Sequence, residues 1–186
     1  MTQASVFLTT LSAFILMACA GDATPKNATP QKTHNFDLTL DYSTTPFDLS
    51  TPQSTAYSMM IAMYRGDAEA IDNIFMEDAT LRRVKPDGSV SGNGLPRWRD
   101  WVSTLEVGQA HEEIFNLNVE HFGKLATVWA PFVITVNGEI AGCGVNQLSM
   151  AQQDSPEGPQ WRIIFGADTA APKESCEGFK ESYSKP

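Results

Sequence analysis

Residues 123–169 read GKLATVWAPFVITVNGEIAGCGVNQLSMAQQDSPEGPQWRIIFGADT, and this stretch determines the fold predicted for the chain. Two long apolar runs are joined by Asn137-Gly138, and a polar turn leads to a third run that begins at Trp161. Both residues of an Asn-Gly pair tolerate the positive φ of a type I′ turn, so the pair is a strong hairpin signal. The runs, at about ten residues each, exceed the usual strand of roughly five or six. The stretch therefore predicts three sequential antiparallel strands in a strongly curved sheet.

The sequence before this stretch predicts helices first and strands afterwards. Ser50-Thr51-Pro52 is a helix start, because a hydroxyl group caps the first turn and Pro loses no hydrogen bond there. Gly66 ends that helix, and a second helix follows it. A short strand over 79–84, a third helix opened by Leu95-Pro96 and a strand over 113–122 complete the order. Early helices and late strands predict an α+β domain, in which a cone-shaped, curved antiparallel sheet wraps around N-terminal helices.

The first twenty residues carry no charged side chain, and residues 6–18 form an apolar run. At about thirteen residues the run is too short for a membrane-spanning helix of roughly twenty, but it matches the apolar region of a secretory signal. Residues 1–18 are therefore predicted to be a signal peptide. Leu16-Met17-Ala18-Cys19 resembles a bacterial lipobox, which predicts an exported protein of the periplasm or cell envelope with Cys19 as its lipid anchor. Ordinary signal cleavage at the same small residues is the alternative.

The composition of residues 19–50 shifts to Thr, Pro, Gln, Asn and Asp. Recurring Thr-Pro pairs favour extended backbone, so the segment up to about His34 is predicted to be a solvated tether. Phe36 to Tyr42 alternates apolar and polar residues, which is typical of a half-buried strand. This segment is predicted to be either an added edge strand or an ordered arm laid on the domain.

Six short motifs stand out further along the chain: Gly66-Asp67, Phe75-x-x-Asp78-Ala79, Trp129-Ala130-Pro131, Cys143-Gly144-Val145-Asn146, Trp161-Arg162-Ile163 and Asp168-Thr169. Together they resemble the SnoaL-like branch of the nuclear transport factor 2-like superfamily. The resemblance covers residues 51–170 and leaves 171–186 as a C-terminal tail. It implies a cone-shaped scaffold shared by isomerases, dehydratases, cyclases and binding proteins, so it does not decide between catalysis and binding. It also implies that the outer face of the sheet pairs with a second copy of the chain.

One position departs from the ketosteroid isomerases of this superfamily. Their general base is an Asp that follows the Asp-Ala-Thr opening of the first strand, and the matching position here is Arg83. A guanidinium group stays protonated and cannot accept a proton. The preferred hypothesis is therefore that the cone binds a small apolar or aromatic molecule without catalysis.

The alternative hypothesis is an enzyme that uses His111 or Asp168 as an acid–base group in the same cavity. Glu112 and Glu113 directly follow His111 and favour a raised pKa for its imidazole, although a His at the start of a strand is also an ordinary loop residue. Asp168 ends a strand, where it either points into the cavity mouth or ties the strand end to backbone amides or to an Arg. Both alternatives stay open at this point, as does a dimer that mainly binds other proteins.

The candidate lining of the ligand cavity is Tyr64, Trp98, Trp101, Trp129 and Asn146. Trp side chains supply apolar area and an indole N–H, while ordinary core packing is an equal alternative for them and for Trp161. Asn146 is in phase with Gly144, Leu148 and Met150, and these residues are expected to face inward. A buried amide needs partners, so Asn146 is either hydrogen-bonded inside the protein or offered to a ligand.

Cys143 and Cys176 remain once Cys19 is set aside. In an exported protein such a pair forms a disulfide that ties the tail to the sheet, whereas a buried free thiol at Cys143 is the alternative. The three His are scattered along the chain, so neither a metal site nor a cofactor is predicted. The net charge of −9 repels phosphates and argues against nucleic acid as a partner. Membrane contact is expected only through the lipid anchor.

Overall fold

A computed structural model describes residues 40–183 in full and the backbone of residues 31–34. The predicted signal peptide, Cys19 and most of the predicted tether lie outside these residues. In chain order the elements are β1 Gln31–His34, α1 Pro52–Arg65, α2 Ala68–Ile74, β2 Phe75–Val84, α3 Leu95–Val102, β3 Ala110–Ile114, β4 Asn118–Phe122, β5 Leu125–Val136, β6 Glu139–Gln153, β7 Gln160–Ala170, a 3-10 turn Lys173–Ser175 and α4 Phe179–Tyr183. Within the described ranges, no helix combines the length and the apolar character that crossing a membrane requires.

The first helix begins and ends where the sequence predicts. The Ser54 backbone N–H donates to Thr51 Oγ1 at 3.0 Å, and the Thr51 N–H donates to Ser54 Oγ at 3.1 Å. This reciprocal capping pair satisfies two N–H groups that have no partner within the helix. Gly66 ends α1 with a φ of 68°, a left-handed conformation that favours glycine.

The hairpin predicted at Asn137-Gly138 is present. Both residues have positive φ, 53° and 79°, and the flanking residues Val136 and Glu139 are paired across β5 and β6. β6 pairs in turn with β7, so the three long strands of residues 125–170 form an antiparallel meander. Register shifts at Ile134/Thr135 and at Ser149/Met150 break the regular ladder, as expected of a sheet that bends strongly.

The seven strands form one sheet in the order β1-β4-β5-β6-β7-β2, with β3 also paired to β5. The path ends at β1 and β2, so the sheet is open. The predicted α+β class, with a curved sheet around N-terminal helices, is confirmed. One pair departs from the antiparallel pattern, because β2 runs parallel to β7.

Helices α1 and α2 pack on the concave face of this sheet, against β2, β3, β5 and β7. Every second residue of β5 and β6 points toward them, which is the period of a strand with one face in the core. The core residues of the helices and of the sheet include Ala56, Met60, Ile61, Met63, Ile71, Ile74, Val119, Val128, Phe132, Leu148, Met150 and Ile163. The residues Leu148 and Met150 therefore face inward as expected.

The strand predicted over 113–122 is wrong as a single element. It is two strands, β3 and β4, which both pair with β5. Asn116 lies between them with a φ of 49°, and this left-handed residue interrupts the extended backbone. Five strands therefore follow α3, where the sequence predicts four.

The edge strand β1 lies at Gln31–His34 and pairs antiparallel with β4. The sequence assigns these residues to the tether, so this pairing is a correction of that boundary. Most of the predicted strand over 36–42 lies outside the described residues. Its last residue, Tyr42, is buried against the domain.

Cys143 and Cys176 form a disulfide, with 5.4 Å between their Cα atoms. Of the two alternatives for this pair, the structure has the bonded one. The bond holds the tail against the outer face of the sheet, where the rings of Phe179 and Tyr183 pack on Phe115 at 6.3 and 6.5 Å. Residues 171–183 of the tail therefore pack on the rest of the domain.

Candidate functional site

A row of polar side chains crosses the concave face of the sheet. Asn146 on β6 lies directly opposite Asp168 on β7, and Asp168 lies beside Arg83 on β2. Residues that are paired across strands present their side chains on the same face. Asn146 is also paired with Ala130, a buried core residue of β5, which identifies this face as the concave one.

Glu112 on β3 joins the row through Asn146. The Asn146 Nδ2 atom donates a hydrogen bond to Glu112 Oε1 at 2.7 Å. Asn146 is only 5% exposed, and Glu112 is partly buried. The strand neighbour Ile114 and the cross-strand neighbour Ile134 are apolar, so Glu112 is a carboxyl group in largely apolar surroundings.

These surroundings change the acidity of Glu112. Burial raises the pKa of its carboxyl group to about 7, because a charged carboxylate is poorly solvated there. The hydrogen bond from Asn146 lowers the pKa in the opposite direction, as does Arg83, while the negative charge of Asp168 raises it further. Near neutral pH both forms of Glu112 are populated, so the group is able to release and accept protons.

Arg83 and Asp168 form an ion pair at the other end of the row. Arg83 Nε donates to the two Asp168 oxygens at 2.9 and 3.1 Å, and Arg83 Nη2 also contacts Oδ2. The Asp168 side chain is 15% exposed, whereas that of Arg83 is 58% exposed. Asp168 is therefore tied to an Arg, which is the second of its two predicted alternatives, and it is not an unpaired base at the cavity mouth.

His111 occupies an aromatic cluster and not the polar row. Its ring packs edge-on against Tyr42 at 4.8 Å and against Tyr64 at 5.4 Å. Burial lowers the pKa of the imidazole, and the charge of Glu113 opposes this effect only in part. The expectation of a raised pKa at His111 is wrong, because desolvation outweighs the neighbouring carboxylate.

The four Trp side chains do not form one cavity lining, because two lie in the core and two are exposed. Trp98 packs against Phe75 in the core, with 6.1 Å between ring centroids, and Trp161 is also buried in the core. Trp101 is 37% exposed and Trp129 is 45% exposed. Trp129 alternates with the inward-facing Val128 and Ala130, so it lies on the outer face and cannot line the cone. The prediction that Trp129 lines the cavity is therefore wrong, because that prediction places the residue on the inner face of β5.

Two clefts lie away from the polar row. One, of about 260 Å³, lies between the segment before α1 and the first turns of α1, next to Tyr57 and Ile61. The other, of about 680 Å³, lies between Phe47, α2 and the turn that joins β6 to β7. Neither cleft contains Glu112 or Asn146. No three His, Cys, Asp or Glu side chains among the described residues are grouped in a way that would hold a metal ion.

Sequence reasoning missed Glu112 as a site residue. The signal is the alternation along β3. Ala110 and Ile114, two residues before and two residues after Glu112, are both buried, so Glu112 lies on the same inward face. A carboxylate at an inward position of a strand is unusual and points to a function or a specific partner. The strand was predicted to begin at Glu113, so this alternation was not visible.

No model of a protein family matches this chain, and no curated protein has a matching sequence. Solved structures do match in fold. A Mycobacterium tuberculosis protein of unknown function is 19% identical, with a TM-score of 0.52 over 71% of this chain and 85% of that one. A nuclear transport factor 2-like protein from Silicibacter pomeroyi is 16% identical, with a TM-score of 0.49 over 64% and 92% of the two chains. A cystatin-like fold protein from Nostoc punctiforme is 14% identical, with a TM-score of 0.49 over 64% and 88%. The match to the Mycobacterium tuberculosis structure shows a shared fold and nothing beyond the fold.

Proposed function

We propose that this chain binds a small, largely apolar molecule at the concave face of its sheet and exchanges a proton with it through Glu112. The observation that carries the proposal is the partly buried Glu112 carboxyl group, held by Asn146 and with a pKa of about 7. A general acid or base is most effective when its pKa lies near the working pH. The apolar residues around the row suit an apolar substrate body.

The polar row supplies a role for each member. The ionised Glu112 removes a proton from a carbon next to a carbonyl group, and the protonated Glu112 returns it to the same or a neighbouring atom. The Asn146 N–H stabilises the ionised form that exists before the first step and after the second. Asp168 and Arg83 neutralise each other, and the pair sets the field in which Glu112 titrates. The cycle needs no co-reactant, because the proton removed is the proton returned.

Binding without turnover is the second candidate. It is favoured by the hydrogen bond from Asn146 to Glu112, since a fixed pair of polar groups in an apolar wall also orients a ligand. The Glu112→Gln variant separates the two functions. Glutamine keeps the size and an acceptor for Asn146 but cannot exchange a proton at carbon.

The test follows deuterium incorporation next to the carbonyl of 4-tert-butylcyclohexanone in D₂O by NMR, with binding of the same ketone measured by ligand-observed NMR. The expected result is exchange above the buffer rate with the wild type, loss of that excess with Glu112→Gln, and retention with Glu113→Gln on the same strand. Ketone binding without excess exchange would support the second candidate. Neither binding nor exchange would overturn both.

We also propose that the protein is exported and anchored through Cys19. The apolar run over 6–18 and the lipobox-like residues before Cys19 support this, and the Cys143–Cys176 disulfide suits an oxidising compartment. Mass spectrometry of the mature N-terminus from the native host tests it. An acylated Cys19 is expected, and an unmodified N-terminus at or near Ala20 would contradict lipidation.

We propose further that the chain belongs to the SnoaL-like branch and that two copies pair through the outer face of the sheet. Phe122, Leu125 and Trp129 support the pairing, because they are exposed together on that face. Sedimentation of the wild type and of a Trp129→Arg variant tests it. A dimer that the variant loses is expected, and a wild-type monomer would contradict it.

A further inference from the structure

The charges of the polar row do not cancel when Glu112 is ionised. Asp168 holds Arg83 through a forked contact, so the positive charge of the guanidinium is already matched. Glu112 receives its one side-chain hydrogen bond, within the part of the chain that the structure describes, from the neutral amide of Asn146. The row therefore has one negative charge in excess, and that charge is located on Glu112.

The charge of Glu112 also acts on the phenol group of Tyr42. Tyr42 is buried, its ring packs edge-on against Tyr64 at 5.8 Å, and the charge of Glu112 is among the influences that raise the pKa of the Tyr42 phenol. A partly buried carboxylate whose only side-chain hydrogen bond, among the described residues, comes from a neutral amide favours a cation as its partner. The overall charge of −9 adds a long-range attraction of the same sign.

We infer that the molecule bound at the concave face carries a protonated amine, and that its ammonium group pairs with Glu112 while its apolar body packs on the apolar wall. This inference rests on the proposed function, because it names the class of ligand for the same site. An ammonium ion would pair with Glu112 directly, whereas the guanidinium group of Arg83 is hydrogen-bonded to Asp168. An anionic ligand would meet both Glu112 and Asp168 and is disfavoured.

Three probes with the same cage separate these charges: 1-adamantylamine, 1-adamantanol and 1-adamantanecarboxylate. At pH 7 the wild type is expected to bind the amine at least about tenfold more tightly than the alcohol, and the carboxylate more weakly than either. The Glu112→Gln variant is expected to bind the amine and the alcohol equally. Glu113→Gln, which changes the neighbouring residue, is expected to keep the preference.

Proton release gives a second readout that a nonspecific attraction would not produce. At pH 6 Glu112 is mostly protonated, so amine binding is expected to release close to one proton, measured by calorimetry in two buffers of different ionisation enthalpy. The charged and titratable groups that interact with Glu112 are Asp168, Arg83 and Tyr42, and the Glu112→Gln variant is expected to abolish the proton release. Alcohol binding is expected to release none.

An amine that binds no more tightly than the alcohol, or that does not bind, would overturn the inference. So would a preference that survives Glu112→Gln. The adamantane probes report on recognition only, and the ketone exchange assay reports on proton transfer only. The inference and the proposed function therefore fail in different experiments.

Discussion

Asn146 and Asp168 lie directly opposite each other on β6 and β7, yet their side chains bind different partners. Asn146 donates to Glu112, and Asp168 accepts from Arg83. The two halves of the polar row are thus linked by charge and by strand register, and a change in one half is expected to alter the acidity of the other.

Substitution of Asp168 by Asn is expected to lower the pKa of Glu112 below about 7. The change removes a negative charge that raises this pKa and leaves the positive charge of Arg83 unopposed, so both effects favour the carboxylate. Carbon-detected NMR titration of the Glu112 carboxyl group measures the shift. Asp154→Asn is the control, because that exposed carboxylate pairs with Lys124 away from the row. An unchanged midpoint in Asp168→Asn would show that the two halves are not coupled.

The Glu112→Gln variant is expected to gain stability relative to the wild type as the pH rises. The pKa of Glu112 is raised in the folded state from 4.5 to about 7, so its favourable contribution is complete below pH 4.5 and is lost as the pH passes 7. Glutamine has no such loss. The difference in unfolding free energy between variant and wild type should move by roughly 2 to 3 kcal/mol between pH 5 and 8.

Urea unfolding of both proteins at the two pH values provides this measurement. Comparing the variant with the wild type at each pH cancels the other titrating groups, including His111. A difference that is the same at pH 5 and pH 8 would mean that Glu112 titrates as an ordinary exposed glutamate.

Substitution of Gly144 by Ala is expected to destabilise the protein severely. A Cβ atom at this position would lie 1.9 Å from the Thr169 backbone oxygen, so β6 and β7 would have to separate. The expected loss is at least about 2 kcal/mol of unfolding free energy. Gly142→Ala is the matched control, because its Cβ would first meet a side-chain atom of Ile134 at 3.7 Å, an ordinary contact. Thermal unfolding of both variants tests the contrast, and equal melting temperatures would refute it.

The Cys143→Ser, Cys176→Ser double variant is expected to lose stability through the unfolded state. The disulfide closes a loop with a sequence separation of 33, and loss of such a link costs roughly 3 to 4 kcal/mol in the chain-entropy account. Urea unfolding of the double variant and of the reduced wild type should give similar free energies. A double variant as stable as the oxidised wild type would contradict the expectation.

The parts of the fold that the sequence predicted depend on local chemistry. The cap at Thr51, the glycine stop at Gly66 and the turn at Asn137-Gly138 each require particular residue types at particular positions, and all three are present. The inward phase of Asn146 followed from the small and apolar residues around it. The orientation of Trp129 could not be predicted in this way. β5 carries apolar residues on both faces, so apolar and polar residues do not alternate around Trp129.

Other features had no local signal. Asn116 takes a left-handed conformation that nothing in the surrounding sequence announces, and so the division into β3 and β4 was not predicted. Glu112 was hidden by the same error, since its phase depends on where β3 begins. The contact between Arg83 and Asp168 joins residues far apart in the chain, and it becomes visible only when β2 pairs with β7.

The parallel pairing of β2 with β7 also has a consequence for how the protein is made. β2 leaves the ribosome early, while its ladder partner is the last strand of the sheet to be synthesised. Until Gln160–Ala170 has docked, β2 lacks its ladder partner and β6 lacks one of its two neighbours. Closure of the sheet is therefore a late, long-range event in folding, and such pairings form slowly because they close long loops.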